Sequence, residues 1–163
     1  CTVTDSKIAS IFDYLYEQYT AERMAMLERL PQISEYASEN MTYHLIDGIL
    51  TSDNRFSCLK VLCHIPLRQI IKDTSLMSQE ELAYAGNYNT HVDFLVINGI
   101  SKKPVLAIET DGYSFHNDAT EQHQRDKMKD HIFALYSLPL LRLSTKGSGE
   151  RERIIEQLNN CIS

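Results

Sequence analysis

The chain is short of positive charge: Lys and Arg number 16 against 22 Asp and Glu, a net charge of −6. Phosphate contacts draw on Lys and Arg, so this balance excludes a free-standing DNA binder that grips by charge alone. Any hold on nucleic acid is local, or borrowed from a neighbouring module. Also missing are a signal peptide and any apolar run near the roughly 20 residues of a membrane helix. A cytoplasmic protein with no membrane partner is the expectation. The four cysteines, at 1, 58, 63 and 161, form no C-x-x-C pair and have no His companions at zinc spacing. Cys58 and Cys63 stand an odd number of positions apart, so on one regular strand they face opposite sides and cannot bridge. Reduced thiols follow. There is no internal repeat and no low-complexity tract.

What is there suffices for a core: 163 residues, 43% of them hydrophobic and 23% charged, fit one globular domain of 38–163 plus an N-terminal helical extension over 1–37. The chain begins with Cys1 rather than Met, which suggests a piece of a longer protein whose other parts supply affinity. In the extension, Thr4 or Asp5 caps a helix with Ile8, Ile11, Phe12, Leu15, Tyr16 and Tyr19 at helical spacing, continuing through Met24 and Leu27 to Pro31. A stripe of this kind reads as ordinary core before it reads as a docking face.

A second helix starts near Ser38 as cap, turns Tyr43, Ile46 and Leu50 inward, and carries Glu39 in its first turn, where an acid favours the helix dipole. Ser57 to Ile65 reads as a largely buried strand, and His64 near its end as a hydrogen-bonded structural histidine. Ser78 caps a short helix to Tyr84 with Glu81 in capping-box position. The whole segment from Pro66 to Asn89 is a connector before it is a lid.

Two apolar runs then flank a Gly-containing loop, the pattern of an antiparallel hairpin. With Asp93 opposite Glu109, Val96 meets Leu106, Asn98 meets Pro104, and Gly99 to Lys103 form the loop. Side chains alternate along a strand, so Glu109 and Asp111 share one face and Asp93 joins them from the neighbouring strand. Three carboxylates at the end of a hydrophobic hairpin repel one another and resist desolvation unless a cation or proton offsets them. A divalent metal answers this economically.

A helix over about 120–138 buries Met128, Ile132 and Leu135 and sets Gln124, Lys127 and His131 on polar arcs. Leu140 to Leu143 adds a parallel strand through that crossover. Gly147, Ser148 and Gly149 form a joint before a last amphipathic helix from Glu150 to Ile162. The fold class is therefore α/β: a mixed sheet with an antiparallel hairpin and a parallel crossover strand, flanked by helices.

The ordered set Val92-Asp93-Phe94, Ala107-Ile108-Glu109-Thr110-Asp111-Gly112, His116, Gln124-Arg125-Asp126, Lys129-Asp130 and Leu138-Pro139-Leu140-Leu141-Arg142 resembles the PD-(D/E)XK nuclease superfamily. More closely, it is similar to the subgroup related to the very-short-patch-repair endonuclease, which includes a domain of unknown function often attached to superfamily I DNA helicases. The resemblance covers about Ser38 to Ser144. It implies a restriction-endonuclease-like core and metal-dependent hydrolysis of DNA, with DNA as substrate and a helicase module in the parent chain as partner.

The resemblance implies metal ligands at Asp93, Glu109, the Thr110 carbonyl and Asp111, and a further acid from the helix before the first strand, at Glu39, with Glu35 as fallback. Hard oxygen donors suit Mg²⁺ or Mn²⁺ rather than zinc. The family's usual lysine two positions after the Glu is here Asp111, and three readings follow. Asp111 binds metal, with His116 polarising the water or protonating the leaving group. Alternatively Lys127 or Lys129 reaches back from the following helix to replace the missing lysine. Or catalysis has been lost and the domain binds nucleic acid or a partner protein. Gln124, Arg125 and Lys127 are the expected nucleic-acid contacts, while Arg125 and Arg142 are as fit to pair with acids. A helical interaction module centred on the first helix is the remaining alternative.

Overall fold

The structure, a computed structural model, describes residues 11, 14–19, 21–22, 32–111, 119–144 and 148–162, leaving out the side chains of 111 and 119–122. The chain divides into two compact units, Cys1–Gln32 and Ile33–Ser163. In the first, residues 11, 14–19 and 21–22 are helical, and Ile11, Leu15, Tyr16 and Tyr19, expected inside, are exposed. The rest of that expected helix lies outside the described residues.

The second unit runs α1 (Ala37–Ser52), a 3-10 turn (Asn54–Phe56), β1 (Leu59–Pro66), α2 (Leu67–Ile70), α3 (Gln79–Gly86), β2 (His91–Asn98), β3 (Pro104–Asp111), α4 (Ala119–Leu135), β4 (Leu140–Ser144) and α5 (Glu150–Ile162). Its four strands form one mixed sheet in the order β1-β2-β3-β4. The first two pairings are antiparallel, and β3 pairs with β4 in parallel. The expected crossover strand is thus in place beside the hairpin.

Helix α1 begins one residue before the expected cap, so Ser38 lies inside the first turn and the N-cap is Tyr36, with no side-chain cap bond. Asn40 staples the entry instead. Its Oδ1 accepts from the amides of Ile33 and Ser34 at 2.8 and 3.2 Å, and its Nδ2 donates to the carbonyls of Ser34 and Tyr36. The amide thereby ties the incoming segment to the first turn, while the N-cap itself has no side-chain bond. At α3 the capping box forms as expected: Ser78 Oγ accepts from the Glu81 amide, and Glu81 Oε2 from the Ser78 amide.

The hairpin register holds near the acids: Val96 faces Leu106 and Phe94 faces Ile108. A bulge between Val96 and Ile97 then shifts the strands, so Pro104 faces Ile97 rather than Asn98. The five-residue loop is pinned at Gly99, whose amide donates to the Cys58 carbonyl at 2.6 Å. A Cβ there would sit 3.0 Å from that oxygen, so the close approach calls for glycine.

One face of the sheet buries Phe94, Val96, Leu106, Ile108, Leu141 and Leu143 against Ile46, Ile49 and Leu50 of α1 and Ile154 and Leu158 of α5. Each such side chain contributes about 1.5–3 kcal/mol when fully buried. The other face packs Leu95 and Ala107 under Ile132 and Phe133 of α4, with Leu67, Ile71 and Ala85 nearby. Cys58, Cys63 and Cys161 are free, and among the described residues no helix is long and apolar enough to cross a membrane.

Candidate functional site

The strand registers set charged residues in a row across one end of the sheet, on the α4 face. Glu109 of β3 is level with Arg142 of β4. One step beyond the Phe94–Ile108 pair, the same antiparallel register brings Asp93 level with Glu109. The alternation that buries Leu95 and Ala107 under α4 therefore carries the two acids to the same side.

Helix α4 completes the row. Ile132 and Phe133 form its buried stripe, and Lys129 stands three and four residues before them, on the next turn of that face. The lysine is consequently 9% exposed and Glu109 7% exposed. Lys129 Nζ lies 2.6 Å from Glu109 Oε1 and also donates to the His91 carbonyl at 2.9 Å. Arg142 Nη1 stands 3.5 Å from the other carboxylate oxygen of Glu109. The guanidinium is tied to α4 by Asp130 at 2.9 Å and Asp126 at 3.4 Å. Asp93 Oδ2 accepts from the amide and the hydroxyl of Thr110, at 2.8 and 2.9 Å.

Burial pushes the Glu109 carboxyl above its ordinary value; Lys129 and Arg142 pull the other way, and Asp93 adds to the rise. Tyr84, on α3, is pushed up to about 12, first by burial and then by the charges of Glu109 and Asp126. Its phenol keeps its proton, and with it a hydrogen-bond donor, throughout the neutral range.

These groups line an open cleft of about 970 Å³. Asp93, Glu109, Thr110, Glu39, Lys129, Arg125 and Lys127, all expected at the site, border it together. Gln124 does not: with Ser78, Glu81 and His131 it lines a separate groove of about 530 Å³, on the side of α4 turned toward α3. There His131 Nδ1 meets Glu81 Oε1 at 2.5 Å. His116 and the Asp111 side chain lie outside the described residues.

Tyr84, His91, His123, Asp126 and Asp130 also border the cleft, and sequence reasoning assigned none of them to it. For Asp126 and Asp130 a signal was available, since Asp126 stands three positions before Lys129 and four before Asp130, both helical spacings. Tyr84 carried none, because the α3 to β3 approach is tertiary.

Glu39 reaches the cleft from the first turn of α1. Its Oε2 is buried with no hydrogen-bond partner and lies 3.4 Å from His64 Nε2. His64, expected to be a hydrogen-bonded structural histidine, has φ 51°, a left-handed conformation uncommon for a non-glycine residue. It falls between the pairs Cys63–Phe94 and Ile65–Val92, opposite Asp93.

The expected ligands at Asp93, Glu109, Glu39 and the Thr110 carbonyl are all oxygens, the donor type that suits a hard cation. Among the described residues no three His, Cys, Asp or Glu side chains converge closely enough to hold a metal. Mg²⁺ does not need three, because it keeps several waters and is usually held through one or two carboxylates. The Glu39 oxygen that lacks a hydrogen bond and the Asp93 and Glu109 carboxylates fit such an ion by their chemistry.

Register, helix face and cleft together define an α/β domain with a charged site at one end of a mixed four-stranded sheet. A family model described as Protein of unknown function (DUF2726) matches residues 35–161, and the chain belongs to that family. Comparison with curated proteins and with solved structures gives no match.

Proposed function

We propose that the domain is a metal-dependent nuclease with a restriction-endonuclease-like core of the PD-(D/E)XK type, hydrolysing DNA phosphodiester bonds. The observation that carries this reading is the meeting of Asp93, Glu109 and Lys129 in one polar cleft, with Lys129 Nζ 2.6 Å from Glu109. The lysine that the strand lacks at position 111 is supplied from α4, which favours the second of the three readings of the sequence. Asp93, Glu109, the Thr110 carbonyl and Glu39 are the groups that would hold Mg²⁺ or Mn²⁺, with Asp111 added by the resemblance. Such an ion, when bound, supplies charge relief at the phosphate and a more acidic water.

The chain's own residues do the rest. Lys129 holds a positive charge beside Glu109, where a nucleophilic water is to be oriented. Arg125 and Lys127 offer the phosphodiester cationic partners along α4. Tyr84, which also lines the cleft, offers a phenol proton from α3. With a net charge of −6, the cleft holds only a short stretch of backbone by charge, and a helicase or other DNA-processing module in the same parent chain would supply the remaining grip.

Single- and double-stranded DNA incubated with Mg²⁺ or Mn²⁺ tests this, beside the Glu109→Gln and Lys129→Met variants. Cleavage should fall by about 100-fold or more in each variant, the scale of losing a group that acts on the reacting atoms. Equal cleavage by all three proteins means a contaminant. A second reading, a catalytically inactive module of the same fold that binds nucleic acid or a partner protein, has its own observation. Asp93 is satisfied by Thr110, and Glu109 by Lys129, without any metal. Binding with no cleavage of any substrate would select it.

A further inference from the structure

The residues between α3 and β2 form a turn held at several points. The Thr90 amide donates to the Asn87 carbonyl at 3.1 Å, and the Asn89 amide donates to Asn87 Oδ1 at 3.0 Å. The Leu67 amide donates to the Thr90 carbonyl at 3.0 Å, fixing α2 beside the turn. Asn87, Asn89 and Thr90 all border the cleft. Tyr88, between them, is 72% exposed. The Arg68 guanidinium of α2 lies over its ring, 4.7 Å from the centroid.

A tyrosine this exposed gains little for the fold, yet it sits in a turn whose other residues, Asn87, Asn89 and Thr90, are held by hydrogen bonds. One ring face is backed by a cation, and Tyr88 stands in the chain between Asn87 and Asn89, which border the cleft that we read as phosphodiester-binding. The overall charge sharpens the point. A protein with 16 basic against 22 acidic side chains is poorly equipped to hold duplex DNA by neutralising phosphates. Stacking needs no such excess, because every base has a π-face, and it is open only to bases that are not already stacked in a duplex.

We propose that Tyr88, braced by Arg68, is a base-stacking platform at the rim of the cleft, and that the substrate class is single-stranded DNA or an unpaired end rather than intact duplex. The inference rests on the nuclease reading of the cleft only for where the phosphate lies. The platform holds an unpaired base beside the cleft while the adjacent phosphodiester lies along Arg125 and Lys127. Phosphate contacts alone would not distinguish the two forms of DNA.

The test is fluorescence anisotropy on the full chain in EDTA, so that binding is read without cleavage. The probes are a labelled 12-nucleotide single strand and a blunt duplex of the same sequence. Wild type should bind the single strand more tightly than the duplex. Tyr88→Ala should weaken the single-strand complex about 5- to 150-fold, the range for losing one base–aromatic stack, and leave duplex binding within about twofold. Tyr88→Phe should keep wild-type affinity, since the ring and not the hydroxyl does the stacking. Circular dichroism checks that each variant is folded, as expected for a change at an exposed turn. The proposal is overturned if wild type shows no single-strand preference, or if Tyr88→Ala weakens both complexes equally or neither. Metal-dependent cleavage that fails while the Tyr88 effect stands removes the nuclease reading and leaves the platform.

Discussion

The two faces of the sheet are built from the same strands and differ in what they bury. Toward α1 and α5, Phe94, Val96, Leu106, Ile108, Leu141 and Leu143 form one apolar cluster with the two helices. Toward α4, apolar packing by Leu95, Ala107, Ile132 and Phe133 gives way at one end to Asp93, Glu109, Lys129 and Arg142. Desolvating such a pair costs about what its attraction returns, so a buried ion pair is poor evidence of a gain in stability. The first face holds the fold, and the second gives up part of its packing to keep charges at an opening.

The largest effect that would break or sharpen this contrast is at Lys129. Lys129→Ala leaves Glu109 buried with only the more distant Arg142, and should cost about 3–5 kcal/mol by urea denaturation. The Lys129→Met/Glu109→Gln double variant should cost much less than the sum of its single changes, because neither group is then left as an unpaired buried charge. If Lys129→Ala costs under about 1 kcal/mol, the charged face is more solvated than its burial implies. On the apolar face, Ile108→Val should cost about 0.5–1.5 kcal/mol by the same measurement, with no change in the affinity for DNA. A change in affinity there would mean that the two faces are coupled.

The smallest effect concerns two acids shifted in opposite directions. The Ser78 amide, and after it His131, hold the Glu81 carboxyl below its ordinary value of 4.5. Its contribution to stability is therefore present above that value and lost as pH falls through the lowered one. Burial raises Glu109, so its neutral form is favoured in the fold, and its contribution is lost as pH rises through the raised value. Glu81→Gln should flatten the fall in stability between about pH 5 and 3, read from unfolding midpoints across a pH series. A curve parallel to wild type would mean that the capping acid is not held low.

Much of this arrangement is legible before any coordinates. The facing of Val96 and Leu106 fixes which acids share a face, and the Ser78–Glu81 capping box and the Glu150–Ile162 helix are written in local spacing. The bulge at Val96/Ile97 is not, because one extra residue in a strand leaves the apolar alternation on either side looking regular. Nor is the left-handed turn of the chain at His64, which no propensity of histidine demands. Gln124, expected with Arg125 and Lys127 at the nucleic acid, lines instead the groove beside Ser78 and Glu81, which Lys127, three positions further along the helix, borders as well as the cleft.

The sequence by itself determined the alternation that buries one face of each strand, the helix and turn signals that order the elements, and the shortage of cations that limits any grip on phosphate. Tertiary structure alone decided that Lys129 meets Glu109 across 20 positions, that Arg142 stands level with it, and that Arg68 lies over the Tyr88 ring. The reason is physical: periodicity fixes the direction of a side chain within its own element, whereas the partner it meets depends on how separate elements pack. That is settled by the burial of the whole core, not by any local run of residues.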